Sequence, residues 1–495
     1  MRPRRSGGIR SFLARWLRRL VLLVAGALVA FVVIRAIDSQ RGAPLELWHT
    51  VVPDEPRAKD LDAMDWRAWL AAEAAVFDQV RREVVERLPV HAQRAENRYF
   101  ADGPIHPPRF GQDWNRSYVL EPDGPPRGAV VLLHGLTDAP YSLRHVAALY
   151  RDRGFVAIGL RVPAHGTVPA ALTDTTWEDW AAATRLAMRE ARRRAGPDGP
   201  VHMVGFSNGG ALALKHALDA VRNPALVRPE ALVLVSPMVG ITSFARFAGL
   251  AGLPAILPSF AKAAWLSVIP EFNPFKYNSF PVNGARQTHR LTQALQAEIR
   301  AQARDGRIEA LPPILAFQSV MDFTVSTRAV LTALFAHVPD NGSELVLFDR
   351  NRATKLGPLL RPAFDTALNR MLPDAPRPWR LVLVTNAADT STEVVARVTD
   401  AGSTEERIVP LPVTYPRDVF SLSHVALPFP ESDPLYGARP DPPGAYGVEL
   451  GTVGARGEVG VLIVSLDNLA RMSWNPFHAE VMARIASRIP GHHPR

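Results

Sequence analysis

One stretch limits what this chain can become more than any other. The apolar run Val201–Phe206 leads into Gly-x-Ser-x-Gly at Gly205-Phe206-Ser207-Asn208-Gly209, and residues 211–217 continue with helical character. A serine on a strand-to-helix turn is forced into a strained backbone conformation that lifts its hydroxyl clear of the sheet edge. Glycines two residues to either side are required because a Cβ there would collide as the chain doubles back. The five letters alone are weak; the strand before and the helix after give them weight. Apolar runs at 129–133, Phe155–Leu160, 231–236 and Ile314–Ser319 alternate with helical patterns at 141–153 and 177–194. Regular βαβα order implies a mostly parallel sheet with helices on both faces, and reactive groups at the carboxyl ends of its strands.

The charge distribution argues against nucleic acid. Of the formal net charge of +9, residues 1–50 supply most, with nine arginines against two acidic residues. The rest of the chain is close to neutral, whereas a nucleic-acid footprint needs a basic face on the folded domain. The chain has no cysteine, which excludes disulfides, thiolate metal ligands, a cysteine nucleophile and a lipoprotein anchor. No His/Asp cluster has metal-ligand spacing, so neither a metal nor a cofactor is implied.

Seven arginines between Arg2 and Arg19 precede an unbroken apolar run at 20–34. The run is short for a span, but Arg19 and Arg35 can snorkel and Trp16 can sit at the interface. A small-x-small cleavage site is missing beyond it, which favours an uncleaved anchor over a cleaved signal. The arginine excess keeps the N-terminus cytoplasmic and exports the rest. In a bacterium this gives a single-pass inner-membrane protein with a periplasmic catalytic domain; secretion after cleavage is the alternative. Residues 43–59 read as a linker, and residues 61–88 as one amphipathic helix ended by Pro89.

The strand at 129–133 ends in His134-Gly135-Leu136-Thr137-Asp138. Acyl-transfer chemistry needs backbone N–H groups there to meet negative charge developing on the substrate oxygen. The N–H groups of Leu136 and Asn208 are the candidates, with His134 bracing the loop. Leu132 to Asp138, Pro163-Ala164-His165-Gly166-Thr167, Thr176-Trp177-Glu178-Asp179-Trp180 and Gly205 to Gly210 together resemble the α/β-hydrolase superfamily. The similarity is greatest to its branch of carboxylesterases, monoacylglycerol lipases and serine aminopeptidase-type hydrolases. It covers residues 115–350, resumes at 421–430, and returns weakly at the C-terminal helix.

That resemblance implies the chain order Ser, Asp/Glu, His. Asp322, in Gln318-Ser319-Val320-Met321-Asp322, follows a buried strand and resembles the family's strand-end aspartate. Seven histidines follow Ser207. His216 lies on the helix after Ser207, His289 in an insertion, His337 at a helix end, His478 at the start of the last helix, and His492 and His493 in the tail. His424, in the small-residue loop Ser421-Leu422-Ser423-His424-Val425, resembles the family's His-Val segment and is the candidate base. Residues 239–310 are expected to form a helical cap, with eight aromatics between Phe244 and Phe280. Met238 and Val239 are expected near the pocket floor. A second insertion, or an extended sheet edge, at about 350–415 separates acid from base, and 460–464 could add a strand.

The expected organisation is an anchor at 1–40, a linker and amphipathic helix at 41–114, and an α/β-hydrolase domain at 115–490. The expected activity is hydrolysis of carboxylic esters, of acyl-lipid type or small, by Ser207, Asp322 and His424. Acyl transfer or peptide and amide cleavage could use the same residues. A non-catalytic anchored binding protein is a rival of a different class.

Overall fold

The computed structural model describes residues 7–39, 43–240, 258–359, 371–453 and 466–491. The expected aromatics Phe244 and Phe247, the strand candidate at 460–464, and His492 and His493 lie outside these residues. The strands are β1 (Tyr118–Leu120), β2 (Gly128–Leu133), β3 (Phe155–Leu160), β4 (Val201–Phe206), β5 (Ala231–Val235), β6 (Trp265–Ser267), β7 (Phe280–Pro281), β8 (Ile314–Ser319), β9 (Glu344–Phe348), β10 (Arg380–Asn386), β11 (Glu393–Thr399) and β12 (Glu406–Thr414). All except the β6–β7 ribbon join one ten-stranded sheet in the order β1-β3-β2-β4-β5-β8-β9-β10-β11-β12. From β3 to β10 every pairing is parallel. β1 pairs antiparallel at one margin, and β11 and β12 do so at the other.

Strands β2, β3, β4, β8 and β9 are buried along their whole length, as their largely apolar sequences suit in a sheet covered on both faces. Alternate residues divide between two cores. Ala129, Val131 and Leu133 face the helices Trp177–Ala195, Asn208–Arg222 and Val282–Arg304. Val130 and Leu132 face the helices Arg144–Asp152 and His478–Arg488. This is the α/β-hydrolase arrangement, a mixed and mostly parallel sheet between helices.

The stretch between acid and base candidates extends the sheet. β10 continues the parallel run, and β11 and β12 fold back as antiparallel margins. β12 carries Pro410 and Pro412 and leaves Ile408 exposed. Prolines lack the N–H a central strand must donate, so only the sheet edge tolerates them.

Two regions differ from the sequence-based expectation. The helix expected over 61–88 is two helices, Ala58–Ala63 and Trp66–Val80, followed by a π-turn at Arg81–Val85. Asp65 breaks it: its side chain accepts the Ala68 N–H at 2.8 Å and caps the second helix, which a residue inside a continuous helix could not do. Residues 43–59 are also no free linker. Trp48 is buried and stacks on Tyr99, and Glu55 joins Glu73 around the buried guanidinium of Arg161, at 2.7 and 3.0 Å. Within 239–310, the helix Val282–Arg304 puts Leu291, Leu295 and Ile299 into the main core. The part that reaches the strand ends is the segment before it. The N-terminal helix, Gly7–Ser39, touches the turn Pro258–Ala264; its stretch Phe12–Ile34 is apolar and long enough to cross a membrane.

Candidate active site

The ends of four adjacent strands share one backbone feature. Thr137, Ala164, Ser207 and Ser236 follow β2, β3, β4 and β5, and they are the non-glycine residues of positive φ among the described residues, at 64, 69, 55 and 45°. Such conformations cost side-chain-bearing residues energy and persist only where the surroundings hold them. Backbone hydrogen bonds hold Ser207 on both sides. Its N–H donates to Val235 O at 3.0 Å, and its carbonyl accepts the N–H groups of Gly210 at 3.0 Å and Met238 at 2.9 Å. A Cβ at Gly205 would lie 2.4 Å from Gly209 O, and one at Gly209 would lie 2.0 Å from Leu133 O. The turn therefore closes only with glycine at both positions.

Asp322 and His424, 102 residues apart, meet directly. His424 Nδ1 lies 2.9 Å from Asp322 Oδ2. The other oxygen, Oδ1, accepts the N–H groups of Thr324 and Val325, both at 2.8 Å. Oδ2 also accepts from the hydroxyl of Ser236 and, at 3.3 Å, from Gln318 Nε2. Burial pushes the Asp322 carboxyl up, and the His424 imidazole with the donors Ser236 and Val325 outweighs it, leaving the carboxyl below its ordinary value. The Ser236 hydroxyl also lies 2.9 Å from His424 Nδ1. Nδ1 is thereby committed, and Nε2 is the ring nitrogen left for proton exchange. The imidazole stacks on Phe206, with centroids 5.1 Å apart. Its loop is fastened at several points: Ser319 Oγ donates to Leu422 O at 2.9 Å, Ser423 Oγ to Arg471 O at 2.8 Å, and Asn475 Nδ2 to Leu427 O at 3.0 Å.

Ser207 and His424 line one cavity of about 20 Å³, together with Gly135, Leu136, Asp138 and Lys276. That volume admits a water molecule and little more. Leu136 lines this cavity beside Ser207. Neither its N–H nor that of Asn208 meets an acceptor among the described residues, so both remain free to bind an oxyanion. Met238 and Val239 are not at the floor of this cavity. Both are buried in the main core, because the chain turns inward after Ser236 and the Met238 N–H is drawn to Ser207 O.

His134 is a brace. Its Nε2 accepts the Val162 N–H at 3.0 Å, which leaves the proton on Nδ1 to donate to Gly135 O at 2.9 Å. Burial holds its pKa well below that of a free imidazole, so it stays neutral. His216 donates to Val227 O at 2.8 Å behind the helix that carries it. Three residues at the site carry no sequence signature: Ser236, Asp138 in its contact with the cavity, and Lys276. The strand-end rule could have flagged Ser236, which directly follows β5.

Comparisons with known proteins match part of the chain. Residues 124–352 match the family model Hydrolase_4, serine aminopeptidase, S33; His424 lies beyond that match. The thermostable monoacylglycerol lipase of Bacillus sp. (strain H-257) is 32% identical over 85 residues, 17% of this chain and 33% of the lipase. The chain thus aligns with a third of that relative's length. Among solved structures, a metagenome-derived lipolytic enzyme superposes with a TM-score of 0.38 at 21% identity, covering 48% of this chain and 87% of its own. The monoglyceride lipase of Saccharomyces cerevisiae gives a TM-score of 0.37 at 14% identity, covering 47% and 82%.

Proposed function

We propose, of a chain that belongs to the α/β-hydrolases through the serine aminopeptidase S33 family, that it hydrolyses carboxylic esters through an acyl-enzyme on Ser207. The observation that carries this reading is His424, paired with Asp322, lining one cavity with a serine of positive φ. His424 Nε2 takes the Ser207 proton as the hydroxyl attacks the ester carbonyl. Asp322 and Ser236 hold the Nδ1 proton, fixing the tautomer and balancing the imidazolium. The Leu136 and Asn208 N–H groups bind the oxyanion. His424 then protonates the leaving alcohol and activates the water that frees the acid.

A cavity of about 20 Å³ is far below the several hundred a substrate needs. Entry therefore requires the 265–281 segment or the 425–436 loop to move aside. The apolar N-terminal helix, with arginines on its N-terminal side, supports a single-pass anchor with a cytoplasmic N-terminus and the hydrolase domain across the membrane; in a bacterium that is the periplasm.

The test is a panel of short- and long-chain aryl esters, monoacylglycerols and aminoacyl amides, given to the full chain in detergent micelles. Ester turnover that falls at least about a thousandfold in Ser207→Ala is expected. Amide turnover exceeding ester turnover would move the protein to peptidase chemistry, and folded protein inert on every member would refute hydrolysis.

A further inference from the structure

Lys276 is the one lysine among the residues lining the Ser207 cavity. It comes from the segment between β6 and β7, and its backbone is fixed on both sides. The Tyr277 N–H donates to Thr137 O at 2.7 Å, and the Tyr277 hydroxyl accepts the Thr167 N–H at 2.8 Å. Phe275 stacks on Tyr141 with centroids 4.3 Å apart. The lysine between them is thus held beside the loop that carries the Leu136 N–H.

Its ammonium has no resident anion. Among the described residues no carboxylate stands within the 4.0 Å of an ion pair and no hydrogen bond reaches it. The charges acting on it are Asp138, of opposite sign and farther off, and Arg471, of the same sign. Asp138 is itself buried and bonded to Ser142 and the Ala139 backbone. Arg471 donates to the Thr324 hydroxyl. The other carboxylate of the site, Asp322, is committed to His424, Ser236 and two backbone N–H groups. Desolvating an ammonium without a direct partner is costly. Proteins keep such groups where a ligand completes them.

We propose that Lys276 is a substrate-recognition residue whose ammonium binds an anionic oxygen group, carboxylate or phosphate, carried by the ester that Ser207 attacks. This rests on the hydrolase reading above and narrows it from esters in general to esters bearing a negative charge near the scissile bond. Asp138 keeps the ammonium ionised without occupying it. The substrate's anion displaces the cavity water and completes the pair. Neutral isosteres leave the half-buried ammonium unpaired, so they bind and react less well.

Two matched ester pairs test this and tell the position of the anion. Monomethyl succinate against methyl 4-methylpentanoate places the charge on the acyl side. 1-Butyrylglycerol 3-phosphate against 1-butyrylglycerol places it on the alcohol side. The full chain in detergent micelles should favour the charged member of one pair by about tenfold or more in kcat/KM. Lys276→Arg should retain a preference for the charged member, and Lys276→Met should bring the ratio towards one. Because each ratio is taken within one variant, a general loss of activity cancels.

A second readout needs neither turnover nor a folded Lys276→Met. Succinate or glycerol 3-phosphate should slow fluorophosphonate labelling of the wild type, where 4-methylpentanamide or glycerol at the same concentration does not. Equal ratios in both pairs, a preference that survives in Lys276→Met, or labelling indifferent to both anions would overturn the assignment while the hydrolase reading stood. Failure of the wild type to label at all would remove the hydrolase reading itself.

Discussion

Replacing Asp322 with asparagine separates two roles of one side chain, and the hydrogen bonds around it dictate which way the amide must turn. Oδ1 accepts two backbone N–H groups at 2.8 Å, from Thr324 and Val325. An asparagine there keeps its carbonyl in the Oδ1 position, because an NH2 would face two donors. The NH2 then occupies the Oδ2 position and points at His424 Nδ1, which lies 2.9 Å from that atom in the wild type. A donor facing Nδ1 selects the imidazole with its proton on Nε2, and that nitrogen can no longer accept the Ser207 proton. Turning the amide over would restore the useful tautomer but leave two buried N–H groups unpaired, at about 1–3 kcal/mol each. The barrier therefore rises by about 2–6 kcal/mol, a loss of about 30-fold to 10⁴-fold in kcat. The assay is single-turnover and steady-state hydrolysis of an aryl ester by Asp322→Asn, with circular dichroism to confirm that the fold persists. A folded variant keeping more than a tenth of wild-type kcat would refute the assignment of Asp322 as the residue that sets the tautomer.

Other outcomes follow from the same coordinates. Ser236→Ala removes a donor from Asp322 and a neighbour from Nδ1; kcat/KM should fall about tenfold with KM little changed, and an unchanged pH–rate profile would show the hydroxyl to be a bystander. Gly209→Ala brings a Cβ to within 2.0 Å of Leu133 O, backbone against backbone, and should cost more than about 3 kcal/mol in urea unfolding or abolish soluble expression. Arg161→Met strands Glu55 and Glu73, both nearly fully buried, and should lower stability by about 3–5 kcal/mol; a wild-type melting temperature would show that the N-terminal segment is held otherwise. Burial lowers the pKa of His49, His165 and His202 from 6.5 to about 4. Their unfolded forms bind protons first, so the stability tied to their neutrality is present above pH 6.5 and is lost as pH falls towards 4. At most about 4 kcal/mol per pH unit is at stake for three such groups, and a melting temperature flat between pH 7.5 and 5 would exclude the effect.

The parts of the molecule that the sequence makes legible are those determined locally. The turn at Ser207 could be read because its glycines answer a clash between residues a few positions apart. The buried strands β3, β4 and β8 are legible because each is a short, largely apolar run. Asp322 and His424 are reached through the family resemblance together with their positions, one just past a strand and one in a small-residue loop, and their contact follows from the folding of the 102 residues between them. What escaped is what only the sheet brings together. Ser236 meets Asp322, and with it His424, because β5 and β8 are neighbours and because its own φ is positive. Lys276 reaches the cavity because Tyr277 is bonded to Thr137 across 140 residues of chain. β11 was missed because its apolar residues are divided by Arg397 and it gains partners only from the strands on either side. The break at Asp65 is a cap that outweighs an otherwise continuous helical pattern.

The central claim is that Ser207 is made nucleophilic by the pair at 322 and 424, and covalent trapping addresses it without knowledge of the substrate. The full chain in detergent micelles is exposed to a fluorophosphonate, digested, and mapped by mass spectrometry. A single phosphonyl adduct on Ser207, absent in Ser207→Ala and formed at least about a hundredfold more slowly in His424→Gln, is the predicted result. A folded wild-type protein that remains unmodified, or an adduct rate indifferent to His424, would contradict it.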